Sequence, residues 1–145
     1  MDNNGLLAPA AVLVLWTCIM LFWLAAARMT AVKKSGADLS KRPPGGRGQD
    51  IDPMLPQGAR WASHNYTHLL EQPTIFYAVV LILTVGGGGA DATNAALAWA
   101  YVGLRVVHSL WQVLVNTIPV RFLVFLVSSL CLTVLAVRAV MLTLA

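Results

Sequence analysis

From Gly5 to Ala27 the chain carries no charged side chain. At about 1.5 Å of rise per residue, such a run in helical form is longer than the roughly 30 Å hydrocarbon core of a bilayer. Three further apolar stretches follow, at roughly Gln57 to Val85, Asn94 to Thr117 and Pro119 to Ala145. Hydrophobic residues make up 58% of the chain and charged residues 11%, against roughly 25% charged in a soluble domain. The expectation is an all-α integral membrane four-helix bundle: four transmembrane helices in one domain over residues 1–145, with a cytoplasmic loop at about 29–57. A secretory leader would have a basic start and a shorter apolar run, whereas this chain opens Met1-Asp2-Asn3-Asn4 and stays apolar up to Arg28. The first stretch therefore reads as a retained helix.

Charge sets the orientation. The segment from Arg28 to Arg60 holds Arg28, Lys33, Lys34, Lys41, Arg42, Arg47 and Arg60, while the connection Gly86-Gly87-Gly88-Gly89-Ala90-Asp91 holds no basic residue. By the positive-inside bias the first loop is cytoplasmic, and four spans then leave both termini outside the cytoplasm, in the cell inner membrane. The net charge of +4 is accordingly a matter of topology and of contact with anionic membrane lipid. It is no nucleic-acid footprint, because basic and aromatic residues do not interleave along a face. Cys18 and Cys131 lie inside apolar stretches with no metal-ligand or redox spacing around them, and read as small apolar core residues. Between Ser35 and Pro56 the density of Pro and Gly predicts a long loop with no regular element.

The second stretch opens with Arg60, Ser63, His64, Asn65, Thr67 and His68, and becomes uniformly apolar only after Pro73. That half must face protein or water. At about 100° per residue, Arg60, His64, His68 and Glu71 fall within roughly 80° of one another. On the third stretch Tyr101, Arg105, His108 and Gln112 share a face as well. Running outward, the second helix places His64 about 10 Å and Glu71 about 21 Å from its cytoplasmic end; running inward, the third places Gln112 about 8 Å and Arg105 about 18 Å from that side. Glu71 and Arg105 are therefore expected to meet and neutralise each other, since an intramembrane charge costs at least about 2.5 to 3.5 kcal/mol. His64, His68, His108 and Gln112 would form a polar funnel toward the cytoplasm, with Arg121 at its mouth. Pro73 predicts a kink just beyond Glu71.

Such a funnel suits an elongated anionic ligand with carboxylates and amides. A cysteine-containing peptide such as glutathione has that character, and a rim guanidinium would stabilise its thiolate. Two other readings of the same residues stand beside this one. The Glu71–Arg105 pair can be purely structural, fixing helix register. His64, His68 and Glu71 can also share a metal, although no second carboxylate is near and an arginine stands opposite, so no metal site is assigned.

The segments His68-Leu69-Leu70-Glu71-Gln72-Pro73-Thr74-Ile75-Phe76-Tyr77 and Tyr101-Val102-Gly103-Leu104-Arg105-Val106-Val107-His108-Ser109 resemble the family of membrane-associated proteins in eicosanoid and glutathione metabolism (MAPEG), most of all its bacterial members. The likeness spans nearly the whole chain. It implies a homotrimer that binds glutathione between neighbouring subunits near the cytoplasmic side. It also implies glutathione transferase, peroxidase or isomerase activity on lipophilic electrophiles. Glu71 would match the family's helix-two glutamate that contacts glutathione, Arg105 its helix-three arginine, and Arg121 the helix-four arginine associated with the thiolate. Where glutathione-using animal members carry asparagine three residues before the glutamate, this chain has His68; their tyrosine seven residues after the helix-three arginine is Gln112 here. The function expected is a membrane-bound glutathione-dependent transferase or peroxidase with a hydrophobic small-molecule substrate. A non-catalytic scaffold or lipid-binding trimer is the alternative, and a small proton-coupled exporter a more remote one.

Overall fold

The computed structural model describes residues 5–36 and 44–145; Lys41 and Arg42 of the basic loop lie outside them. Four long helices account for most of the described chain: α1 (Leu7–Ser35), α2 (Gln57–Val85), α3 (Ala92–Leu114) and α4 (Ile118–Leu144). Short 3-10 segments at Gly48–Met54 and Gly88–Ala90 precede α2 and α3. No strand occurs among the described residues. Three of the helices, α1, α2 and α4, are long and apolar enough to cross a membrane. The third, α3, is diluted by the polar stripe it carries.

Each end of a helix has a local cause. Helix α1 passes Arg28 and continues to Ser35, so a charge ends an apolar run without ending a helix. Lys33 and Lys34 occupy its last turn, where the helix dipole favours cations, and Gly36 stops it at φ 66°. The breaker-rich loop is also more regular than its composition predicts, because Arg47 and Asp50 exchange backbone and side-chain bonds in a capping box that starts the 3-10 segment. On the opposite side Asp91 caps α3 by accepting from the Asn94 amide at 2.9 Å. Arg138 of α4 pairs with Asp91 at 2.9 Å and donates from Nε to Asn94 Oδ1, which ties the end of α4 to the start of α3. At the other end of α3, Asn116 takes φ 59° and its amide closes on Trp111 O at 2.7 Å. Asparagine tolerates that left-handed conformation, and the chain reverses into α4 in three residues.

Packing divides the bundle along its length. Phe76, Val80, Tyr101, Leu135 and Leu13 form a closed apolar core, built from the second half of α2, the first half of α3, the second half of α4 and the start of α1. Phe76 stacks on Tyr101 with centroids 4.5 Å apart. Helix α2 runs through Pro73 as one helix. The opposite half of the bundle holds the polar residues and opens as a cavity. Cys131 is half-buried and Cys18 is exposed, so Cys18 is a surface residue of α1 and not the core residue its apolar context predicts.

Candidate functional site

A cavity of about 740 Å³ lies between α2, α3, α4 and the Gly48–Met54 segment. Helix α2 supplies Arg60, His64, His68 and Glu71, all four members of the stripe predicted from their spacing. From α3 come His108 and Gln112, and from α4 come Arg121, Phe122 and Phe125. One wall is thus polar and ionisable, and the wall built by α4 is largely aromatic.

Glu71 and Arg105 do not pair as expected. Among the described residues no ion pair joins them; Glu71 Oε2 instead contacts His68 Nδ1 at 3.1 Å. His68 is the intermediary, since its Nε2 lies 3.4 Å from Arg105 Nη1. Matching depths along two helices leave rotation undetermined, and His68, one turn before Glu71, fills the space between. Arg105 is 0% exposed, does not line the cavity, and gives its Nη2 hydrogen to His68 O at 3.0 Å. Glu71, whose side chain is 63% exposed, faces the open side. The end of the cavity nearest the apolar core, deep along the bundle axis but open at the side, therefore offers a carboxylate, with the buried guanidinium standing behind an imidazole.

Several contacts fix the side chains around this centre. The His68 ring packs against both His108 and Phe125, with centroid separations of 5.0 and 5.2 Å, and those two rings lie 6.2 Å from each other, so the three form one cluster. Asn65 is buried between α2 and α3, donating to Gln112 Oε1 at 3.2 Å and accepting from Ser109 Oγ at 2.7 Å. That bond orients Gln112. Below the cavity Gln72 donates to Ser129 Oγ at 2.8 Å and accepts from Tyr101 OH at 3.3 Å, forming a polar layer between cavity and apolar core. At the mouth Arg121 Nη1 donates to Asn116 Oδ1 at 2.7 Å, so the turn that joins α3 to α4 also sets where that guanidinium stands.

A second cluster, around Asp52, has no signature in residue spacing. Asp52 in the 3-10 segment accepts from Arg28 Nη2 at 2.8 Å and from Ser63 Oγ at 2.5 Å, and the same Nη2 reaches Ser63 Oγ at 2.7 Å. This latch fastens the end of α1, the 3-10 segment and the start of α2, and brings Gln49, Asp52 and Pro53 into the cavity wall. Gly48 belongs to the same junction, since a Cβ there would sit 2.5 Å from Arg28 Nη1. A lone aspartate in a loop has no periodicity to reveal it. The sole signal was a carboxylate in a basic segment, beside a proline.

What can the arrangement do? Its cations and imidazoles can hold anionic groups near the mouth, its deep carboxylate can accept from an ammonium or amide, and its aromatic wall can receive an apolar reactant. Comparison with known proteins adds one finding: the family model described as the MAPEG family matches residues 6–141. Neither a curated protein nor a solved structure matches the chain.

Proposed function

The chain belongs to the MAPEG family, and from that membership we propose that it is a membrane-bound glutathione-dependent transferase or peroxidase acting on lipophilic electrophiles. The observation that carries this reading is the division of the 740 Å³ cavity into a polar wall and an aromatic wall. Its size lies in the range of small-molecule sites. Glutathione brings one ammonium, two carboxylates, two amides and a thiol. Glu71 is placed to accept from the ammonium, while Arg60 and Arg121 can take carboxylates. His64, His108 and Gln112 are positioned to bond the peptide amides.

Arg121 has the catalytic role in this reading. A guanidinium beside the thiol favours the thiolate, which is the attacking form. In conjugation the sulfur forms a bond to an electrophilic carbon and the leaving group departs with the bonding electrons, Phe122 and Phe125 lining the approach of the apolar partner. The thiol proton goes to water at the mouth.

We take α3 to be a fourth span, packed mainly on α4, with the basic loop cytoplasmic, both termini outside, and an inner-membrane location. The assembly proposed is a homotrimer, whose neighbouring subunit would cover the side on which Glu71 is exposed. The test is the thermal stability of the detergent-solubilised protein with and without millimolar glutathione, together with turnover of a chromogenic electrophile. Stabilisation by glutathione, and turnover that falls at least about a hundredfold in Arg121→Ala, are the expected results. An unmoved melting curve and no turnover would replace the enzyme with a lipid-binding or scaffold protein.

A further inference from the structure

The chain of contacts Arg105–His68–Glu71 has a direction, set by the one member that cannot change its role. A guanidinium carries donors and no acceptor. With Arg105 Nη1 3.4 Å from His68 Nε2, that ring nitrogen has to present its lone pair. The ring proton then sits on Nδ1, 3.1 Å from Glu71 Oε2, where a carboxylate accepts it. The other tautomer would point an N–H at the guanidinium hydrogens and set the Nδ1 lone pair against the carboxylate. An imidazolium would retain the first of these clashes.

We propose that Arg105 is a positioning residue that locks His68 as the neutral Nδ1–H tautomer and acts on the cavity only through that imidazole, which in turn holds Glu71 as the acceptor at the deep end. Three independent features of the geometry converge on it. Arg105 is 0% exposed and absent from the cavity wall. A second of its nitrogens bonds the backbone carbonyl of the same residue, His68, at 3.0 Å, so the guanidinium grips one partner at two points. His108 and Phe125 back the His68 ring together from one side, at 5.0 and 5.2 Å from it and 6.2 Å from each other, and limit its rotation toward them. Arg105 Nε is buried with no hydrogen-bond partner among the described residues, and the guanidinium lies 5.9 Å from the Phe125 ring centroid. A guanidinium kept in such a place, out of water and off the cavity wall, can act on a ligand only through a neighbour.

The consequence concerns what the cavity recognises. Its deep end receives a hydrogen-bond donor such as an ammonium, and anionic groups of the ligand are left to the mouth. This consequence rests on the glutathione reading above, whereas the tautomer does not.

The experiment uses full-length protein labelled with nitrogen-15 at histidine, in detergent, without glutathione, at about pH 7. His64→Gln and His108→Gln variants assign the His68 ring by elimination. The expected spectrum shows His68 protonated at Nδ1 alone; a ring protonated at Nε2, or at both nitrogens, overturns the proposal. Arg105→Met removes the guanidinium that keeps a proton off Nε2 while Glu71 still accepts from Nδ1, so this variant should show Nε2 protonated in part of the population with the Nδ1 proton retained, and Arg105→Lys should leave Nε2 bare again. Glutathione affinity then supplies a double-mutant cycle. Arg105→Met should weaken binding at least about tenfold beside His68 and less than about twofold in the His68→Phe background. Equal losses in both backgrounds would put the guanidinium on the ligand and refute a role through His68. If no glutathione binds at all, the functional reading fails and the wild-type spectrum alone decides the tautomer.

Discussion

Replacing Asp52 by alanine should release the Gly48–Met54 segment from the mouth of the cavity. The carboxylate is 5% exposed and accepts two hydrogen bonds, from Arg28 at 2.8 Å and Ser63 at 2.5 Å. Bonds to a charged group contribute about 1.5 to 3 kcal/mol each. The Arg28 side chain is 21% exposed, so water recovers part of its share, and Arg28 keeps its bond to Ser63. The net cost is about 2 to 4 kcal/mol, charged to the segment that loses its anchor. At about 1.4 kcal/mol per factor of ten, the population in which the segment is open rises roughly 30- to 700-fold. Amide hydrogen exchange of a peptide covering residues 48–55 measures that population directly; the Leu55 amide, bonded to Asp52 O at 3.1 Å, is the most informative. Asp52→Asn keeps an acceptor and the shape and should show a smaller rise. Exchange that changes less than about twofold in Asp52→Ala would mean that the small apolar cluster of Ala31, Leu55 and Ala59 holds the segment without the latch.

Asn65→Leu should destabilise the bundle, because it strips buried partners from both Ser109 and Gln112 at about 1 to 3 kcal/mol per orphaned group; thermal unfolding in detergent reads the loss, and glutathione affinity should fall with it as Gln112 loosens. Asp91 stands outside the spans, and its carboxyl is held below the ordinary carboxylate range, first by the Asn94 amide that donates to it and further by the Arg138 guanidinium. A depressed folded value means stability that is fully present above about pH 4 and lost as the pH falls through the folded pKa, so wild type should lose stability more steeply than Asp91→Asn between about pH 5 and pH 2. Val107→Asp puts a charge on an exposed position of α3 and should impair membrane insertion by about 2.5 to 3.5 kcal/mol, visible as a shifted inserted fraction in a glycosylation-mapping assay; unchanged insertion would argue against α3 as a span.

Periodicity made half of the site legible. Residues one turn apart on a helix must share a face whatever the rest of the chain does, so Arg60, His64, His68 and Glu71 could be grouped from spacing alone, and all of them line the cavity. Depth was legible for the same reason, through a fixed rise per residue. Rotation is not set by rise, so matched depths predict a direct Glu71–Arg105 pair where His68 stands between the two. The Arg28–Asp52–Ser63 latch was invisible for a different cause: it depends on the path of a loop, and loop paths follow from tertiary contacts instead of from local pattern. Arg28 ends the apolar run but not α1, because its guanidinium pairs with Asp52 and no helix breaker follows before Gly36, with Met29, Ala31, Lys33 and Lys34 favouring the helix.

Helix α3 joins these threads. It is the one long helix that fails the apolarity expected of a span, yet its polar residues are confined to one side. Taking Trp99 as the origin and about 100° per residue, His108, Tyr101, Gln112 and Arg105 fall between about 180° and 240°, while exposed Val107 and Leu114 fall between about 60° and 80°. Tyr101, Arg105, His108 and Gln112 are all buried against the other helices, and Trp99, Val107 and Leu114 form an exposed apolar face. A mean over the sequence adds the two faces together and returns a helix too polar to insert. Among the described residues each polar group on this face of α3 except Arg105 Nε has a partner or the cavity, and the short Val115–Thr117 turn would let α3 insert as a hairpin with α4, whose apolarity is high. The residues that make α3 a poor span by composition are therefore the ones that line the site, as His108 and Gln112 do, or support it from behind, as Arg105 does through His68, and the crossing proposed for α3 would depend on the same contacts as the proposed chemistry.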